Sequence, residues 1–312
     1  MLRLFTPLNF HLKFRQTTRV WRTMLQSYVS QQPSQFRTVH ECAIGLLLFS
    51  FVCAQAVYGP IDLIIWPKLF AAIVLLLGVP HGALDIEIVC ARRNVSHRVG
   101  IAKLLTAYVG LTAAVTTAWL IAPAATLFIF LVVSSYHFGG DWHHDTLARL
   151  CTGCAVLSAP AVFHPSQVAE IFGWLSSPGA AHRLTACMAI AALPLLAATI
   201  GLSVWQIKTS ALLELSSVIM GALVLPPLTF FVLYFCFLHS VRHLVDTVSE
   251  FPDRSARNLV VAGLPFAVIA MGGCVIGAAA MMSLAPGPAV ISSVFIGLAA
   301  LTVPHIMFVD AA

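Results

Sequence analysis

Charge is what this chain of 312 residues has least of: Asp, Glu, Lys and Arg together make up 9% of it, against about a quarter in an ordinary soluble domain. A water-facing globule needs a polar coat, so this scarcity excludes a soluble protein. Acidic residues are missing altogether from the first 40 positions, where Arg3, Lys13, Arg15, Arg19, Arg22 and Arg37 stand. The net charge of +5 therefore marks a basic juxtamembrane tail and implies no nucleic-acid partner. No small-residue cleavage site precedes the first apolar run, which disfavours a transit peptide. Cysteine is present without a pattern. Cys53, Cys90, Cys187, Cys236 and Cys274 stand singly within or at the ends of apolar runs, as small hydrophobes do. Cys151 and Cys154 form a C-x-x-C, but no soluble βαβ pattern surrounds it, so the pair reads as helix packing. Long polar stretches are also lacking, which leaves no room for a separate soluble domain.

What fills the chain instead is a succession of apolar runs, each near the roughly 20 residues a helix needs to cross a bilayer. They cover 41–59, 61–90, 100–121, 124–140, 147–163, 184–206, 210–225, 227–246, 259–283 and 288–309, with breaks at Tyr58-Gly59-Pro60, Ala122-Pro123, Pro226-Pro227 and Ala285-Pro286-Gly287-Pro288. The pattern predicts an all-α, polytopic integral membrane bundle of eight to ten transmembrane helices. Residues 41–312 form the single membrane domain and residues 1–40 the cytoplasmic tail. The positive-inside rule places the N-terminus on the cytoplasmic side of the plasma membrane, together with Arg92, Arg93, Arg98, Lys103, Arg149, Lys208, Arg254 and Arg257. Ten crossings satisfy all of these positions, and the even-numbered helices then descend from outside to inside.

On those descending helices lie His81 in "GVPHGALD", His137 in "SSYHFGGD", His239 and His243 in "FLHSVRHLVD", and His305 in "TVPHIMFVD". At 1.5 Å per residue the five imidazoles reach depths within roughly 10 Å of one another. His239 and His243 share one helix face through i, i+4 spacing, and the same spacing offers Asp85 to His81 and Asp141 to His137. A carboxylate one turn away suits a histidine that binds a metal through its other nitrogen. Ionisable groups within spans point to function, and neutral imidazoles gathered at one depth suit iron, copper or zinc. Arg242 is expected to neutralise Asp246. His143 and His144 read as solvated loop residues, His97, His164 and His182 lie beside loops, and His11 and His40 belong to the tail. Tyr136, Phe138, Trp142, Phe231, Tyr234 and Phe235 flank the histidine motifs, either as core packing or as the lining of an apolar substrate tunnel.

All-imidazole ligation without thiolate argues against iron–sulfur chemistry, and a chain without a soluble domain implies a substrate dissolved in lipid. Four imidazoles on Fe(II) would leave two positions open for dioxygen and substrate. The residues alone thus lead to a membrane histidine–iron oxygenase. Three alternatives stand beside it. A di-iron histidine-box hydroxylase or desaturase acting on carotenoids or lipids would recruit His143 and His144 beside His137. A membrane haem protein would use histidine pairs as axial ligands. A transporter would use the histidines and Arg242 as a proton relay.

"PHGALD" at 80–85, "HFGGD" at 137–141, "HSVRH" at 239–243 and "VPHIMFVD" at 303–310 resemble, in order and separation, the four motifs of the Brp/Blh family of bacterial and archaeal membrane β-carotene 15,15′-dioxygenases. The resemblance covers about residues 42–310. It implies cleavage of β-carotene at its central double bond by Fe(II) and O2 into two molecules of all-trans-retinal, which an opsin would accept. Carried over by position, the iron ligands would be His81, His137, His239 and His243. His305 would be a fifth ligand, a replacement for one of the four, or a residue behind them. Asp85, Asp141 and Asp310 also match motif positions, and spacing suggests them as partners of the ligands. The basic tail and the "HHD" at 143–145 lie outside the family pattern.

Overall fold

The computed structural model describes residues 33–93, 95, 97–206, 209–250, 256–281 and 286–310, and among them it contains helices and connecting turns but no strand. In chain order the helices are α1 (Pro33–Tyr58), α2 (Pro67–Arg92), α3 (Arg98–Ile121), α4 (Pro123–Gly139), α5 (Thr146–Phe163), α6 (Pro165–Leu175), α7 (Pro178–Gln206), α8 (Thr209–Val224), α9 (Pro227–Glu250), α10 (Ala256–Ala280) and α11 (Pro286–His305), the last extended by a wide turn over Ile306–Asp310. Among the described residues eight of these are long and apolar enough to cross a membrane, and α4 and α8 are shorter apolar helices. The chain is a multi-pass membrane protein, within the expected range of eight to ten spans.

Proline sets many of the starts. Pro67, Pro123, Pro165 and Pro227 each occupy the first helical turn, where the missing N–H breaks no bond and the fixed φ is already helical. Two boundaries differ from the sequence reading. Helix α1 begins at Pro33, inside the stretch assigned to the tail, because Arg37 and His40 have partners within the bundle; residues 1–32 lie outside the described ones. Helix α6 fills a segment read as a connection, since eleven residues are too few to register as a span.

Helix α9 is the hub. It is 67% buried over its apolar window against 6% for α3, whose Val109, Leu120 and Ile121 are left facing lipid. Around the hub, α1 packs on α8, α4 on α5, and α5 on α7, while α11 lies against α2, α3, α6 and α10. Leu48, Phe70, Val74, Val156, Leu228, Leu238 and Ile291 form the buried centre. Helices α4 and α5 approach so closely that a Cβ on Gly139 would meet the Arg149 carbonyl and one on Gly153 the Ser135 carbonyl. Small residues permit such contact where no water drives helices together.

Three helices depart from regular α geometry, and each does so beside a histidine motif. Wide π turns cover Val74–Gly78, Leu233–His239 and Ile306–Asp310, and a 3-10 segment follows at Val79–Leu84. Pro80 and Pro304 immediately precede His81 and His305, and each removes a backbone donor and clashes with the preceding turn. Bulged turns of this kind recur at functional sites because they re-aim side chains without ending the helix.

Candidate metal centre

His137 at the end of α4, His239 and His243 on α9, and His305 on α11 come together inside the bundle. The ring centroids of His137 lie 4.7 Å from those of His239 and 5.0 Å from those of His305, and the His305 and His243 rings are 4.9 Å apart. His137, His239 and His305 are all buried. The side chains of His81 and Asp310 lie outside those described, although the backbone of His81 is placed in the 3-10 segment of α2.

Among the described residues two carboxylates hold this cluster, and each reaches a histidine on another helix. Asp141 was expected beside His137, but its carboxylate accepts from His239 Nδ1 at 3.2 Å and from the Tyr234 hydroxyl at 2.8 Å. Asp85, expected beside His81, whose side chain lies outside those described, accepts from His305 Nδ1 at 2.7 Å and from the Tyr108 hydroxyl at 2.9 Å. The reason lies in the backbone. Asp141 sits in the turn beyond α4, where regular i, i+4 stacking on His137 does not apply, and Asp85 closes a 3-10 segment. Burial alone would push the Asp141 carboxyl up, yet His239, Arg242 and the Tyr234 hydroxyl hold it well below the usual carboxylate range. With each Nδ1 engaged by a carboxylate, Nε2 is the ring nitrogen of His239 and His305 that could hold a metal.

His137 Nε2 and His239 Nε2 approach to 3.0 Å. That distance fits one N–H donating to the other nitrogen. It equally fits two donors of one cation, since metal–imidazole bonds of about 2.1 Å at a right angle place their nitrogens about 3.0 Å apart. Among the described residues no three ligating groups already converge on a point. The donor chemistry nonetheless suits a borderline metal such as iron: buried imidazoles, no thiolate, and a carboxylate behind His239.

The surroundings correct several expectations. Arg242 does not pair with Asp246; its guanidinium bonds Glu214 on α8 at 2.6 Å and the Asp141 carbonyl at 3.0 Å, and Trp142 Nε1 donates to the same Glu214 at 2.9 Å. Glu214 went unnoticed in the sequence, although a lone acid within an apolar run is itself a signal. Tyr108 on α3 went unnoticed as well. His143 is buried rather than solvated and meets the Ser203 hydroxyl at 3.2 Å, whereas His144 is exposed. Of the six aromatic residues, Phe138 and Phe235 flank His239 at 4.9 and 6.0 Å between centroids, Tyr234 packs on Phe138 and Trp142, and Phe231 stacks on Phe235. Tyr136 turns away toward α5, where the Arg149 guanidinium lies 4.0 Å above its ring. A cavity of about 650 Å3, lined by Val52, Gln55, Phe163, His164, Gln167 and Pro226 among others, opens at the opposite end of the bundle.

Residues 72–311 match the family model for beta-carotene 15,15'-dioxygenase, a region that contains every histidine of the cluster. The chain belongs to the beta-carotene 15,15'-dioxygenase family. A curated member, the beta-carotene 15,15'-dioxygenase of uncultured marine bacterium 66A03, is 29% identical over 256 residues, which span 77% of this chain and 91% of that protein. No solved structure matches. The chain is thus an enzyme of a carotenoid-cleaving family, and its histidines belong to the matched domain rather than to an appended segment.

Proposed function

We propose that this chain cleaves β-carotene at the central 15,15′ double bond with O2, giving two molecules of all-trans-retinal, and that Fe(II) held by His81, His137, His239 and His243 is its cofactor. One carbon–carbon double bond breaks, two aldehyde bonds form, and both oxygen atoms of O2 end in product. The observation that carries the reading is the 3.0 Å approach of His137 and His239, backed by Asp141, inside the family's matched region. Bound iron would supply the redox chemistry that lets dioxygen react with a polyene. The protein's own share is orientation. Phe138 and Phe235 offer apolar faces beside His239, suited to a conjugated chain, and the closed packing around Tyr234 and Trp142 keeps water from that side. Positioning of the midpoint then selects the bond. The retinal would pass into the bilayer for an opsin-type acceptor.

The alternatives fit less well. His143 and His144 point to different surroundings from His137, which removes a histidine box there. The 3.0 Å separation of His137 and His239 leaves no space for a haem plane between them. The test is expression in β-carotene-producing cells with pigment chromatography and metal analysis of the purified protein. Retinal and iron are expected, and alanine at His81, His137, His239 or His243 should abolish retinal. A hydroxylated or desaturated C40 product, or full activity in two of those variants, would overturn the reading.

A further inference from the structure

The two carboxylate pairs around the cluster are built alike. Tyr234 donates to Asp141, which accepts from His239; Tyr108 donates to Asp85, which accepts from His305. In both, the tyrosine donates to Oδ2 and the carboxylate holds the histidine through Nδ1, at Oδ1 for His305 and across both oxygens for His239. Asp85 and Tyr234 are 1% exposed and His239 and His305 3%, while Tyr108 is half-buried. Yet the two are independent in sequence, since the first joins α4's terminal turn to α9 and the second joins α3, α2 and α11. Burying a carboxylate and an imidazole is costly unless each is satisfied. Doing it twice around one histidine cluster puts a tyrosine-bonded carboxylate behind His305, as behind His239.

The His305 ring also lies 5.0 Å from that of His137 and 4.9 Å from that of His243, and so links the α4 histidine to the second histidine of α9. With Nδ1 committed to Asp85, its Nε2 edge is the one available to a shared ion. We propose that His305 is a fifth imidazole of the iron centre and that Tyr108, acting through Asp85, is its positioning residue. This rests on the proposed function, because it presumes that iron binds at this cluster.

The experiment uses the full chain in detergent under anaerobic conditions, with Fe(II) titration and the electron paramagnetic resonance signal of the nitric oxide adduct as readouts. Loss of a buttress behind a metal-binding histidine typically weakens affinity by about 10- to 100-fold. Tyr108→Phe should show a loss in that range, His305→Gln at least as much, and both should alter the rhombicity of the nitrosyl signal. Tyr234→Phe, acting through His239, should give a loss of similar size to Tyr108→Phe. Thermal unfolding without iron separates misfolding from altered binding, and Tyr108→Phe decides the matter if His305→Gln does not fold. If the unaltered chain binds Fe(II) normally while His305→Gln or Tyr108→Phe shows the same affinity and the same signal, this inference is overturned and the proposed function stands. If the unaltered chain binds no Fe(II), both fall.

Discussion

At the scale of single residues, the most exposed energetic liability lies outside the histidines. Glu214 and Arg242 form an ion pair in which the side chains are 0% and 5% accessible, so removing one partner leaves a charge stranded away from water. Glu214→Ala should lower stability by roughly 3–5 kcal/mol in detergent unfolding, and the double replacement Glu214→Leu with Arg242→Met should recover part of that loss. A double variant no more stable than the single one would show that the carbonyl contact to Asp141, not the charge balance, is what matters. This pair also shows where sequence reasoning stops. That His137, His239, His243 and His305 would share a level was legible, because depth follows from span boundaries and rise per residue. Which carboxylate serves which histidine was not, because Asp85 and Asp141 select partners on other helices. Spacing along one chain reports only neighbours on that chain.

At the scale of elements, helix starts and crossings were largely readable, since proline and apolar run length set them. The wide turns at Val74–Gly78, Leu233–His239 and Ile306–Asp310 were not, because nothing in hydropathy distinguishes a π turn from an α turn. The "VPH" shared by residues 79–81 and 303–305 was the visible trace of two of them. Contact between α4 and α5 yields a sharper forecast. Gly139→Ala and Gly153→Ala press a methyl onto neighbouring backbone carbonyls that cannot swing aside, and each should cost about 1–3 kcal/mol and reduce the yield of folded protein. Gly110→Ala, with open space around its added carbon, should be neutral or slightly stabilising. Equal behaviour of the three in a thermal-stability assay would contradict the close approach.

At the scale of the whole molecule, the crossings make the turn at 140–145 and the turn at Tyr58–Gly59 opposite faces of the membrane. A cysteine placed at Asp145 in a cysteine-free background should react with an impermeant maleimide from the cytoplasmic side only, and one at Tyr58 from the other side only. Labelling of both from one side would break the topology. Polar bonds tie helices together at both of those faces. Near the histidines, Arg37, Arg242, Glu214, Trp142 and Asp141 tie α1, α8, α9 and the α4 turn together. At the other end, Gln55 lies fifteen residues beyond His40, or about 22 Å along α1; it and His164 bond the Val224 carbonyl and Gln167 bonds Asp62, around the 650 Å3 cavity. Backbone amides lining that cavity should exchange with deuterium faster than those of α9 around His239, and the reverse order would refute it. Water admitted by that hollow reaches the peptide groups around it, whereas the packed level of α9 stays dry.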